Sequence, residues 1–418
     1  MGNTPKNYTS ISSCMLCNSK DLTKIFSVRN VFLTGYFPLK DEKDPINTPV
    51  SITKCSACKN VQAKELVKPE LMFKNYWYRS STTKTMRSHL QDIVKKNYKS
   101  DGFLLDIGSN DGTLLEIAEN KGMKAYGVEP SDAIKDAPKR FRERTVNSFF
   151  GTEECENFFK NKGLKFDLIT AISMFYDISD PLKFLDKATD LLRHDGLMLI
   201  EVNYAKSFFE RKNVDMLGQE HLIYYFIETF SKLTSKAGLF INDAYLTDMN
   251  GGNITFLLSK KGHQSERYLY LAQQEKLWLQ NFDFQNFEKV VKREFEKFKE
   301  KVISISNTSV IKILGASTRG AMIIQMLGLD NNTITSAVDL QKNKVGRRIP
   351  GTDIEIEFDD DHNEPDYYLV MPYQFKTEII NRYTGFMKRG GGLLFYRPEQ
   401  ELISYNNKTK EIVYTPII

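Results

Sequence analysis

No apolar run in this chain approaches the roughly 20 residues that a membrane-spanning helix needs. The opening residues, Met1-Gly-Asn-Thr-Pro-Lys6, lack the apolar core of a signal peptide, and Lys6 breaks the N-myristoylation pattern. No basic block is present either. The net charge of +5 is mild for this length and gives no stripe for nucleic acid to follow. These absences predict a cytoplasmic protein with no membrane and no nucleic-acid partner. What remains is ordinary globular material: 41% hydrophobic and 12% aromatic residues suit an enzyme and exclude a disordered chain. A chain of 418 residues is too long for one compact core, so two or three domains are expected. Histidine and cysteine are scarce, with five of each, so where they fall matters.

The dinucleotide fingerprint G-x-G-x-x-G is missing too, yet something near it is present. Phe103-Leu-Leu-Asp-Ile-Gly-Ser-Asn-Asp-Gly-Thr-Leu-Leu115 reads as a strand, a glycine-bearing turn and a helix, the opening unit of a doubly wound α/β domain. Asp106 stands where the first glycine of the fingerprint would be. Gly108 and Gly112 let the backbone pass close to a ligand, and the helix start beyond offers free N–H groups. Lys124-Ala-Tyr-Gly-Val-Glu-Pro130 reads as the next strand, ending in Glu129, a carboxylate suited to accept from two ribose hydroxyls. The pairing of D-x-G-x-x-x-G with this acid resembles the S-adenosylmethionine (SAM) site of class I methyltransferases. The resemblance implies cofactor contacts at Asp106, Gly108, Ser109, Asn110, Gly112 and Glu129. The bland alternative is a Rossmann-like core without a cofactor.

Four cysteines form two C-x₂-C knuckles, Cys14–Cys17 and Cys55–Cys58. Two knuckles complete a tetrahedral Zn²⁺ shell, so a zinc-ribbon-like module with short strands at 31–37 and 50–53 is expected, against a pair of free or redox thiols. Four sulfur ligands leave no open position, so the zinc should be structural. Cys155 stands alone and reads as a buried apolar residue. The run from Tyr76 to His89 is dense in hydroxyls and cations; it fits a ligand contact or merely a capped helix start.

Strand–helix alternation continues through Phe166–Ser173, a helix opened by Pro181, and Gly196–Val202. Residues just past these strand ends, among them Phe175, Tyr176, Glu201 and Tyr204, are site candidates for which packing is the commoner role. Asp215-Met-Leu-Gly-Gln-Glu-His-Leu-Ile-Tyr-Tyr225 is the most suggestive stretch. His221 can remove a proton near neutral pH, and Glu220 can hold a hydroxyl or orient the ring. A charged pair on a surface helix is the plain reading. At least three of the other histidines, His89, His194, His263 and His362, are expected to be solvated.

The order C-x₂-C…C-x₂-C, Y-x-Y-x-S-S-x-[ST]-x-x-M-x-x-H, L-D-I-G-S-N-D-G-T, E-H-L-x-Y-Y, N-G-G and G-A-S-T-[KR]-G resembles the sugar C-methyltransferases that build branched deoxysugars. The likeness runs from the first cysteine pair almost to the C-terminus. It implies SAM as methyl donor and a nucleotide-linked keto-sugar as substrate, deprotonated beside its ketone so that the enolate takes the methyl group. It makes His221 the base, gives Glu220 and Tyr76 catalytic places, and sets Tyr78, Ser80, Ser81 and Tyr224 on the sugar. Gly218 and Gln219 depart from the family, which usually has an aromatic or cysteine residue and a histidine there. Rival readings are O-methylation of a nucleotide-sugar and a non-catalytic scaffold on the same fold.

Beyond Asn250-Gly-Gly-Asn253 and a closing strand at 254–258, residues 265–305 read as charged helix with an apolar stripe at Val291, Phe295, Phe298, Val302 and Ile305. Ile311-Lys-Ile-Leu-Gly-Ala-Ser-Thr-Arg-Gly320 then repeats the strand–loop–helix theme. Its loop lacks the middle glycine of an NAD site. Ser317, Thr318 and Arg319 at a helix start suit a diphosphate instead, and the resemblance extends to 344–352, where Arg347 or Arg348 could reach the same phosphates. Strands are expected at 365–372 and, after Gly390-Gly-Gly392, once more at the end. The expected division is 1–75 for the zinc module, 76–262 for the SAM domain and 263–418 for a Rossmann-like nucleotide-sugar domain with a leading helix.

Overall fold

The computed structural model describes residues 7–73, 77–360 and 363–417. Phe103–Ile107 is an interior strand of a seven-stranded sheet because its apolar run is buried on both faces, as a parallel strand covered by helices must be. It pairs in parallel with Lys124–Val128 on one side and Phe166–Ile172 on the other. Thr145–Val146 and Leu192–Asn203 extend the two flanks in parallel. Asn253–Ser259 and Phe240–Thr247 finish one flank antiparallel. The order reverses at Phe103–Ile107, so the C-terminal strand ends open onto a crevice there. The architecture is the α/β, class I methyltransferase core that the resemblance implied. Phe240–Thr247 has no counterpart among the expected strands: a bulge between Ile241 and Asp243 breaks its alternation.

A second seven-stranded sheet repeats the plan around Ile311–Leu314, with Ser336–Asp339 and Tyr367–Val370 as parallel neighbours. Gly392–Phe395 follows in parallel, but it is not the last strand. Glu401–Asn406 and Glu411–Pro416 continue the sheet as an antiparallel hairpin. The loops after these two strands also share a turn geometry. Gly108 N–H donates to Val128 O at 2.8 Å, and Gly315 N–H to Val338 O at 2.8 Å. Both glycines have a positive φ, +81° and +86°, which a side chain would strain.

The first strand of the four-stranded N-terminal sheet starts well before the expected one, at Leu22–Phe32, and pairs with Asn47–Cys55. Val61–Ala63 adds a third strand, and the fourth is borrowed: Ile223–Tyr224, two residues past His221, pairs with it. The module is therefore welded to the candidate catalytic loop. Ile25, Phe26 and Val31 share one core with Phe208, Met216 and Tyr224 of the middle segment and with Phe295 and Ile313 farther on. The expected continuous helix at 265–305 is two helices, Glu266–Asn281 and Phe287–Ser306. Asp283 accepts from Gln285 N–H (3.0 Å) and Asn286 N–H (3.2 Å), which competes with helical bonding and starts the second helix anew. Val291, Phe295, Phe298 and Val302 are buried along it, as the stripe predicted.

Candidate active site

At the switch point the loop after Phe103–Ile107 is organised by an acid from the next strand. Asn110 N–H donates to Glu129 Oε2 at 2.7 Å and Ser131 N–H to Glu129 Oε1 at 2.8 Å. Asp106 is buried beside it, with Thr170 Oγ1 donating to its Oδ1 at 2.6 Å. Burial pushes the Asp106 carboxyl up to about 7 and raises that of Glu129 as well. Neither acid forms an ion pair within the described residues. Arg79 is near enough to lower the Glu129 value, but neither carboxyl is ion-paired among the described residues, which fits a cationic ligand such as SAM. The segment after Trp77 is stapled to this loop: Asn110 donates to Tyr78 O (3.1 Å) and accepts from Ser80 N–H (3.0 Å).

His221 is buried on the loop that feeds the borrowed strand. Its Nδ1 lies 2.5 Å from the Met216 carbonyl, which can only accept, so Nδ1 carries the proton and Nε2 keeps a free lone pair. Burial holds the imidazole below its ordinary value, partly offset by the Glu220 carboxylate. The ring is therefore neutral at pH 7, as a base must be. The Glu220 carboxylate folds back over Gly218, where a Cβ would stand 2.5 Å from its Oε2. Gln219 turns away and donates to Val31 O (3.1 Å) in the N-terminal sheet.

Met216 is in turn placed by a buried ion pair. Arg319 Nε donates to Asp215 Oδ2 at 2.6 Å, and its Nη2 bonds the Tyr373 hydroxyl at 2.6 Å. Arg319 Nη1 is buried and has no partner among the described residues. Ser317 caps the helix Thr318–Leu327 by accepting from Gly320 N–H at 2.9 Å. One continuous cavity of about 830 Å³ joins these parts; Glu129, Tyr78, Ser80, His221 and the Ser317–Arg319 loop all line it.

Residues 78–288, half of the chain, match the family described as "Methyltransferase domain". The chain belongs to the SAM-dependent methyltransferases. Residues 248–398 match "C-methyltransferase C-terminal domain". The C-methyltransferase NovU of Streptomyces niveus is 24% identical over 410 residues, covering 94% of this chain and 97% of that one. The ubiquinone biosynthesis O-methyltransferase of Actinobacillus pleuropneumoniae is 24% identical over 234 residues, 53% of this chain and 94% of that one. Among solved structures, the mitomycin 7-O-methyltransferase MmcR superposes with a TM-score of 0.33 at 16% identity, over 42% of this chain and 54% of that one.

In this methyltransferase the four knuckle cysteines come together, their sulfurs all within 4.8 Å of one another. Cys14 and Cys58 sulfurs are 3.5 Å apart and those of Cys17 and Cys55 3.6 Å. A tetrahedron with metal–sulfur bonds of 2.3 Å has edges of about 3.8 Å, so the four fit a Zn²⁺ shell. The hydrogen bond with Cys58 pushes the Cys14 thiol down to about 5. Cys155 is buried, as expected.

Several expected contacts fall elsewhere. Tyr224 is buried behind the loop and its hydroxyl donates to Met216 O at 3.1 Å, so it braces His221 and does not face the cavity. Ser81 is turned from the cavity, its N–H on Asp111 Oδ2 at 3.0 Å. Arg347 is also outside it: Nη1 donates to Phe37 O (2.8 Å) and the guanidinium stacks on Trp77, tying the N-terminal module to the last domain. Gly112 serves the fold, as the left-handed start of helix Thr113–Glu119. Tyr76 and His362 lie outside the described residues. His194 and His263 are exposed, but His89 is not solvated: its Nε2 is 2.8 Å from the fully buried Glu201 carboxylate. Glu201 thus packs the sheet with Asn253 and Thr255, and of the strand-end candidates Tyr176 alone lines the cavity. Asp177 and Asp339 are among the cavity residues not predicted as site residues. Each follows or ends a strand at the crevice side, which was the available signal.

Proposed function

We propose that this methyltransferase methylates a carbon next to the ketone of a nucleotide-linked deoxysugar. SAM supplies the electrophilic methyl group. Asp106 and Glu129 hold it, Glu129 through the acceptor positions that Asn110 and Ser131 leave open. His221 Nε2 takes the proton beside the ketone, with Met216 O fixing the tautomer. Glu220 meets a sugar hydroxyl. The Ser317–Arg319 loop faces the diphosphate, for which Arg319 has one unpaired nitrogen, Nη1. The observation that carries this reading is the single cavity in which a neutral, tautomer-locked histidine stands between a SAM-type crevice and a second Rossmann-like loop. The cysteine cluster holds a structural Zn²⁺ at the base of the sheet that carries the loop.

The test is His221→Asn, assayed with nucleotide-linked 3-keto and 4-keto hexoses. Exchange of the proton beside the ketone in deuterated water, and methyl transfer followed by mass, should both fall by about 10²–10⁴. SAM affinity by calorimetry should not change. Retained exchange would remove His221 as the base, and methyl transfer without any exchange in the wild type would favour an oxygen acceptor.

A further inference from the structure

Beside His221 the cavity holds a carboxyl that the steps above do not use. Asp177 ends the turn Phe175–Asp177 after strand Phe166–Ile172, at the edge of the sheet where ligands bind. It lines the cavity with Glu220 and His221. Its Oδ1 is shielded from solvent and has no hydrogen-bond partner among the described residues. The turn is locked to the His221 loop: Leu222 N–H donates to Tyr176 O at 2.9 Å, and the Tyr176 ring meets the imidazole edge-on at 4.6 Å. Asp177 as a whole is half-buried, but a shielded carboxyl oxygen without a partner costs stability.

Burial and then the Glu220 charge hold the Asp177 carboxyl well above the ordinary carboxylate range. The other titratable groups that sense it are the phenols of Tyr224 and Tyr225, and it forms no ion pair among the described residues. A carboxyl raised in this way keeps its proton more readily and can donate it in a hydrogen bond.

We propose that Asp177 is a second catalytic residue, whose O–H donates to the ketone oxygen of the substrate and stabilises the enolate. This rests on the keto-sugar reading above. As His221 Nε2 takes the proton, the C–H pair becomes the C=C bond and the carbonyl pair moves onto oxygen, against the Asp177 O–H. The enolate carbon then bonds the methyl carbon, the ketone re-forms, and the C–S pair stays on sulfur in S-adenosylhomocysteine. Asp177 keeps its proton throughout; the proton on His221 leaves to water.

The experiment compares wild type, Asp177→Ala and Asp177→Asn with whichever nucleotide-linked 3-keto or 4-keto hexose the wild type turns over. Asp177→Ala should slow proton exchange and methyl transfer together by about 10²–10³, the usual loss for one such donor. SAM affinity should stay, and thermal stability should hold or rise, because a shielded carboxyl oxygen without a partner is removed. Asp177→Asn keeps an N–H donor and should regain most of the loss. Near-normal exchange in Asp177→Ala overturns the proposal, as does an Asn variant as slow as Ala with SAM affinity intact. Failure of the keto-sugar reading looks different: the wild type itself would exchange no proton of any keto-hexose.

Discussion

Glu129→Ala should weaken SAM binding by about one to two orders of magnitude. A carboxylate offers about four acceptor positions. Asn110 N–H at 2.7 Å and Ser131 N–H at 2.8 Å take two, which leaves two for a pair of ribose hydroxyls. A hydrogen bond to a charged group is worth about 1.5–3 kcal/mol, and bonds that share one group do not add fully. With tenfold in affinity per about 1.4 kcal/mol, loss of the group costs about 10–100-fold. The loop suffers too, since Asn110 N–H is left buried without an acceptor. Glu129→Gln is a sharper probe. Its amide has one oxygen, so its NH₂ must face one of the two backbone N–H donors, and it should do little better than Ala. Calorimetric titration of SAM into each variant measures the effect, with thermal melting to separate loop damage from loss of contact. Wild-type affinity in Glu129→Ala would place the ribose elsewhere and refute the reasoning.

Burial holds the His221 value below the ordinary 6.5, so the acid limb of kcat/KM should lie below that pH, with the rate falling as pH falls through it. Glu220→Gln removes a group that raises that value and should move the limb lower; an upward move would contradict the assignment. Asp106, pushed up to about 7, is protonated below that pH in the free protein, so affinity for the SAM cation should rise from about pH 6 to 8. Calorimetry should find that slope absent in Asp106→Asn. Cys58→Ser should lose bound zinc and soluble yield together, because ligand binding is part of the folding free energy; a folded, zinc-free wild type by metal analysis would dismiss the ribbon. Arg319→Ala leaves Asp215 buried and unpaired, at about 3–5 kcal/mol in chemical denaturation. Adding Asp215→Asn should restore stability but not nucleotide-sugar affinity; if it restores both, Arg319 only braces the loop.

The sequence alone was enough for the features carried by local pattern. Asp106, Gly108 and Glu129 could be read because a strand, a tight turn and an acid at the next strand end follow one another along the chain. The cysteine pairs and the apolar stripe from Val291 to Val302 were legible for the same reason, since spacing in sequence is spacing in space within one knuckle or helix. Tertiary structure decided the rest. Nothing local says that Ile223–Tyr224 completes the N-terminal sheet, or that Arg319 reaches back to Asp215 and so sets Met216 O under His221. Tyr224 and Arg347 have residue types suited to a ligand, yet each spends its polar group on a backbone carbonyl that only packing brings near. Asp177 is one carboxylate among many along the chain. What distinguishes it is the missing partner for its Oδ1 and its place beside His221, and both are set by packing across distant parts of the chain.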